Sequence, residues 1–389
     1  MAKVNILNYY RKILEKSRDL IRHCRRRRIR RIDIILIAAA IAVLVYIAVR
    51  QVSGTIVDKH THIDITVSSH GGDLFGQDIV SALIREFEEQ NPDLRIQESS
   101  PESADIVFFD DGEFTGLADA PAFASLAHLV TFMDVFIYNI DILKAANCDR
   151  PPKTRAEFLA AARAVAKSVS AASGQEAVYP FALGLSKDDP LAVRRDFYPW
   201  VWANSGEIHT EQGLSGTALE TIAFLGQLNR ERLLAPQTFE KTGAQRLQEF
   251  AKGSIAMMMA SSRDIPFLQN NAQNMSFSIT TIPVIAYDRN RLGLSGIYAG
   301  VNSSCTYPDE ARLLLTFLEE KKHILAEAID AVPGSFPGVF ADDYIENNPL
   351  YAKAWDIFEA AVLVEYEPGQ PHEKEIQRII RDKLAEAIK

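Results

Sequence analysis

Residues 63–112 read IDITVSSHGGDLFGQDIVSALIREFEEQNPDLRIQESSPESADIVFFDDG. Ile63, Ile65 and Val67 alternate with polar residues, the period-two pattern of a half-buried strand. Gly71, Gly72 and Asp73 supply a turn. Ile79, Val80, Leu83, Ile84 and Phe87 then recur at helical spacing, and Asn91 with Pro92 ends the helix. Leu94 and Ile96 open a second strand. Residues 104–109, ADIVFF, form a continuous apolar run of the kind found in buried parallel strands. The run stops at Asp110, Asp111 and Gly112. Strand, helix, strand and a polar strand end mark an α/β chain, and ligands of such chains sit beyond the carboxyl ends of the strands.

The same vocabulary continues downstream. Residues 135–138 predict a crossing strand, and Pro151 with Pro152 is a break. Thr154 and Glu157 have the T-x-x-E spacing of a capping box for a helix carrying Phe158, Leu159, Ala162 and Val165. Residues 180–185 form a short strand or turn, and residues 197–203, FYPWVWA, an aromatic cluster. Helices are expected over 219–234 and 244–252, and strands over 255–260 and 278–283. The methionines of IAMMMA, Met257 to Met259, read as core. A helix over 308–320 and an amphipathic final helix through Ile376, Ile380, Leu384 and Ile388 complete the pass.

Upstream, the chain changes character. Of its 389 residues, the first 31 carry three Lys and nine Arg against Glu15 and Asp19, a net of +10. From Gln51 onward there are 29 basic and 48 acidic residues, a net of −19. Residues 34–49, IILIAAAIAVLVYIAV, hold no charge and span roughly 24 Å as a helix. With snorkelling flanks, residues 32–52 are long enough to cross a bilayer. The basic residues before them place the N-terminus in the cytoplasm. The expected layout is a basic cytoplasmic segment over 1–31, a transmembrane helix or signal anchor over 32–52, a tether over 53–61 and an extracytoplasmic body. Cleavage after residues 52–54 is the alternative. The arginines at 25–28 then serve topology and anionic lipid rather than nucleic acid, which the acidic body would repel. A composition of 47% apolar and 24% charged residues is that of a globular protein and excludes wholesale disorder. Three cysteines exclude a disulfide scaffold.

Several segments, in order, resemble the extracellular solute-binding proteins of sugar-type ABC importers, the maltose-binding-protein-like family. They are IDITVSSHGGD with ALIREFEEQNPDLRIQ, ADIVFFDDGEF, VFIYNIDILKAANCDRPPKTRAEFLAAA, FYPWVWANSGEI, FAKGSIAMMMASSR and YPDEARLLLTFL, spread over residues 63–318. The resemblance implies an α/β, two-lobed periplasmic-binding-protein-like (type II) fold with a hinge, and a ligand between the lobes. The boundaries it suggests are 62–135 with 264–308 for lobe one, and 136–263 with 309–389 for lobe two. The chain departs from the family pattern in a short stretch between Phe114 and Val135. Arg263 also stands where a sugar-stacking aromatic is usual, and the lipid-anchored cysteine is absent.

The candidate ligand-binding residues follow. Trp200 and Trp202 supply flat faces beside Asn204; in a strand they would face one side, in a helix nearly opposite sides. Asp110 and Asp111 end a buried strand where the family contacts ligand hydroxyls, although Asp-Asp-Gly is also turn chemistry. His70, Tyr298 and Phe336 match ligand-facing positions of the family. Arg263 can hold a carboxylate or phosphate bidentately, which admits an acidic sugar or a glycerol phosphate. His60 and His62 have H-x-H form without further ligands nearby, so no metal is expected, and no cofactor is implied. Cys148 and Cys305 read as free thiols.

These readings converge on a membrane-tethered, non-enzymatic binding protein. It would capture a saccharide, polyol or glycerol-phosphate-like solute and deliver it to ABC permease subunits. One alternative keeps the fold as a sensor or interaction module. Another is an exported glycoside hydrolase using the pairs Asp110/Asp111 and Asp342/Asp343, but no catalytic signature motif accompanies them.

Overall fold

Alternation at residues 63–69 yields the first strand, β1 (Ile63–Ser69), with Ile65 and Val67 turned into the core. A computed structural model describes residues 62–69, 74–75, 77–110, 123–171, 177–204, 206–285, 291–329, 349–364 and 373–388. The strands that follow are β2 (Leu94–Glu98), β3 (Ile106–Asp110), β4 (Phe123–Asn139), β5 (Tyr179–Ala182), β6 (His209–Thr210), β7 (Gly213–Leu214), β8 (Ile255–Ser261), β9 (Phe277–Thr280), β10 (Arg291–Asn302) and β11 (Val362–Val364). The main sheet runs β2-β1-β3-β10-β4-β8-β5, with β11 beside β10 and β9 beside β4. β1 is parallel to β2 and β3, and helix Gln77–Gln90 lies between β1 and β2 in the chain. β10 is antiparallel to both β3 and β4. Around this frame, mixed α/β packing produces two lobes.

The lobes are visible as two hydrophobic cores. The first holds Ile65, Phe87, Phe108 and Phe132, together with Ile297 and Val301. The second begins at Met133 and holds Phe136, Phe158, Phe181, Trp200, Phe250 and Met257, together with Leu292 and Leu294. The changeover therefore falls between Phe132 and Met133 in β4 and between Leu294 and Ile297 in β10. Those points are level with each other, because Leu294 pairs with Met133 and Ile297 with Val130. Two antiparallel strands thus run through both lobes, and β4 needs all 17 of its residues to do so. The crossing strand is much longer than the apolar run at 135–138 suggests.

The expected division of the lobes differs from this arrangement in two places. Ile265, Leu268 and Ile279 pack in the second core, because β9 joins β4 beyond the crossing, Phe136 opposite Thr280. Helix Pro308–Glu320, expected in lobe two, places Ala311, Leu314 and Leu318 in the first core. Its Phe317 meets Phe87 of helix Gln77–Gln90 with ring centroids 5.4 Å apart. The chain passes back to lobe two only after helix Lys322–Ala328, and Tyr351 and Phe358 of helix Pro349–Ala360 lie in the second core.

Local signals account for the helices. The Thr154 hydroxyl accepts from Glu157 N at 3.1 Å and the Glu157 carboxylate accepts from Thr154 N at 3.3 Å, the reciprocal cap of helix Arg155–Ala171. Thr242 and Gln245 do the same for helix Gly243–Ala251. Met257 and Met259 are fully buried. Cys148 and Cys305 are free and half-buried. Among the described residues no helix is long and apolar enough to cross a membrane, and no group of side chains is arranged to hold a metal. The segments 1–31, 32–52 and 53–61, with His60, lie outside the described residues.

Candidate ligand-binding cleft

Where β4 and β10 cross, the lobes enclose a cavity of about 450 Å³. Its floor is Phe132, Asp134, Ser295 and Gly296 of the two crossing strands. Lobe one adds Asp110 from the end of β3. Lobe two adds the loop 188–191, the N-terminus of helix Gly243–Ala251, Met258 of β8, and Arg263 in the single turn Ser262–Asp264.

A buried ion pair fastens the floor. Arg194 Nη1 donates to both carboxylate oxygens of Asp134 at 3.0 Å, and its Nη2 donates to the Leu294 carbonyl at 2.9 Å. One guanidinium so ties β4 to β10 at the changeover. It also lies over the Trp202 ring, 4.6 Å from the centroid. Burial pushes the Asp134 carboxyl up to about 6, with Arg194 opposing the rise. Close approach here depends on glycine. A Cβ at Gly293 would stand 2.2 Å from Asp134 Oδ2 and 2.5 Å from the Trp202 ring.

A second network shapes the lobe-two wall. Arg195 bonds to Asp189 at 2.9 Å, to Asp196 at 3.2 Å and to the Gly184 carbonyl at 2.8 Å. Asp189 also accepts from Gly243 N at 2.8 Å, so the loop is bound to the first amide of the helix. Burial raises the Asp196 carboxyl, and the adjacent Arg195 counters it. The arginine is in turn held protonated by its two carboxylates, against the cost of burial.

Across the mouth, Arg263 Nη1 donates to Asp110 Oδ2 at 2.9 Å, linking the end of β8 in lobe two to the end of β3 in lobe one. The same guanidinium sits 5.4 Å from the centre of the Phe132 ring. Phe132 is the one aromatic residue among the described cavity-lining residues, and its face is already covered. The arrangement offers fixed donors and acceptors for a small polar solute, plus apolar contacts from Leu191, Leu247 and Met258.

The fold and its cleft have relatives. The sequence profile of the bacterial extracellular solute-binding protein family matches residues 56–323, well over half of the chain. The chain belongs to that family. Solved structures agree on the fold. The cyclic alpha-maltosyl-1,6-maltose binding protein of Arthrobacter globiformis is 16% identical with a TM-score of 0.65, covering 84% of this chain and 98% of that one. A putative oligosaccharide periplasmic-binding protein from Synechococcus sp. MITs9220 is 15% identical with a TM-score of 0.64, covering 83% and 93%. An ABC transporter solute-binding protein from Agrobacterium radiobacter K84, in complex with ribitol, is 18% identical with a TM-score of 0.59, covering 84% and 94%. No curated protein matches the chain in sequence. The family is one of solute-binding proteins and not of enzymes, which sets aside the hydrolase reading.

In this solute-binding protein the residues singled out from sequence have separate fates. Asp110 and Arg263 line the cleft, paired with each other rather than open. Trp200 does not reach it. Residues 198–202 form a helix with Pro199 in its first turn, and Trp200 is fully buried. Its ring packs among Phe136, Phe158, Phe181 and Phe224, at centroid distances from 5.4 to 6.0 Å. Its carbonyl is held by Arg155 at 3.0 Å and by Asn204 at 2.7 Å. Trp202 faces the other way, as helical spacing requires, but lies beneath Arg194 as a support for the floor and not as a stacking surface. Tyr298 is buried between His128, 4.5 Å away, and Phe109, 5.8 Å away, both rings nearly parallel to it. His70, Asp111 and Phe336 lie outside the described residues, as do Asp342 and Asp343.

Sequence reading missed Asp134, Arg194, Asp189 and Arg195. A signal was present for the first: Asp134 is the lone charge in the apolar run LVTFMDVFIYN. The Asp188-Asp189-Pro190 turn followed by Arg194-Arg195 was the other signal. Neither names its partner, since Arg194 and Asp134 are 60 residues apart.

Proposed function

We propose that this chain captures a saccharide or polyol in the inter-lobe cleft and hands it to an ABC permease while tethered to the cytoplasmic membrane. The observation that carries this reading is the cavity placed at the crossing of two strands shared by both lobes, where a change of lobe angle opens or shuts it. That geometry supports hinge closure over a bound solute. The solutes named for fold relatives, cyclic maltosyl-maltose and ribitol, support a hydroxyl-rich ligand. The cavity of about 450 Å³ lies within the range of typical small-ligand sites, ~300–1,000 Å³. Tethering rests on the uncharged segment 34–49 and the basic residues before it. It would raise the local concentration of the binding protein at its permease.

Tryptophan fluorescence provides the test, since Trp202 sits directly under the cleft floor. Full-length protein in a detergent without a sugar headgroup is titrated with monosaccharides, disaccharides and polyols. A saturable signal with at least one of them, with a matching upward thermal shift, is the expected result. Folded protein that responds to none of the panel overturns the reading.

A further inference from the structure

We infer that the cleft prefers hydroxylated solutes carrying a positive charge, an amino sugar or amino polyol, over their neutral and acidic counterparts, with Asp188 as the counter-ion. The inference rests on the solute-binding reading and names the ligand class for the same site.

Among the described residues, three guanidinium groups line the cavity, and each already has a carboxylate. Arg194 is on Asp134, Arg195 on Asp189, and Arg263 on Asp110. Two lining carboxylates remain. Asp264 accepts from Ser261 N at 2.8 Å in the cap of its own turn. Asp188 is exposed on the cavity wall, and among the described residues its carboxylate makes no hydrogen bond and no ion pair. Its backbone N–H alone is engaged, by the Ser186 hydroxyl at 3.2 Å.

The three possible ligand charges meet different costs. An anion must share Arg263 with Asp110, adding a second negative charge beside that mostly buried carboxylate. A neutral sugar can hydrogen-bond to Asp188 but leaves its charge uncompensated as the lobes shut water out. An ammonium group replaces that lost hydration with a charge-assisted hydrogen bond and breaks nothing already formed. A cationic preference is the opposite of the acidic solute expected from Arg263 alone, because that arginine already has a carboxylate partner and the surplus charge among the described lining residues is negative.

The test is calorimetric titration of the full-length chain with matched series on three skeletons. These are glucose, glucosamine and glucuronate; galactose, galactosamine and galacturonate; and sorbitol, glucamine and gluconate. On the skeleton that binds, the amino member is expected to be tighter than the neutral one by roughly tenfold or more. The acidic member is expected to be weakest. The preference should shrink at 1 M salt, and Asp188→Asn should erase the ratio between amino and neutral members. Neutral and amino members binding alike, an acidic member binding best, or an undiminished ratio in the Asn variant would each overturn the inference while leaving solute binding intact. Silence on every skeleton, and with the wider saccharide panel, would overturn the solute-binding reading and this inference with it.

Discussion

Arg194 does three jobs with one guanidinium: it neutralises Asp134, caps the Leu294 carbonyl and covers Trp202. Removing one partner of a buried pair strands the other charge, so Arg194→Met should cost about 3–5 kcal/mol in urea unfolding. Adding Asp134→Leu to that variant should recover much of the loss, since no charge is then left buried. Asp134 also predicts a pH dependence. Its carboxyl is raised from 3.8 to about 6, so the folded chain holds this proton more tightly than the unfolded chain does. The group's contribution is full below the unfolded value and falls as pH rises from about 4 to about 6, then levels. Thermal melts of wild type and Asp134→Asn between pH 4 and 7 should therefore show the wild type losing ground to the variant across that window. A constant difference would contradict the assignment. Trp200 belongs to this scale too. Trp200→Ala should lose about 3–5 kcal/mol of stability, the cost of emptying a packed aromatic site.

At the scale of elements, β10 is the sensitive piece. Gly293→Ala drives a methyl into Asp134 and the Trp202 ring, and should cost about 1–3 kcal/mol by equilibrium unfolding. The elements show what the sequence discloses and what it withholds. The β1 alternation, the apolar run of β3 and the Thr154–Glu157 cap are local patterns, so residues 63–110 and helix Arg155–Ala171 were legible one residue after another. Asp110 was legible as a candidate because it ends an apolar strand, and Arg263 because the family resemblance puts a sugar-stacking aromatic at its position. The aromatic run at 197–203 was not, because both periodicities suit it until Pro199 settles it as a helix. Helix Pro308–Glu320 was legible as a helix but not as part of lobe one. Its apolar face does not say which lobe it covers, and contacts distant in sequence, such as that of Phe317 with Phe87, decide that. The ion pairs of the cleft join residues far apart in the chain, and no window of sequence contains them.

For the whole molecule, the proposed function uses two separate cores joined by two continuous strands, β4 and β10. The proposed tether, the uncharged segment 34–49 behind a basic N-terminal end, predicts that the full chain partitions into membranes and resists extraction by high salt. Deleting residues 32–52 should release it, as tested by fractionation; a deletion variant still in the membrane pellet would refute the tether. The central claim is that solute binding and lobe closure are one event. Its most direct test is the distance between spin labels placed at exposed Glu89 in lobe one and Gln248 in lobe two, in a chain freed of its native cysteines. With saturating solute the distance distribution should narrow and move to a single closed population. A distribution unchanged by a solute that calorimetry shows to be bound would contradict the account.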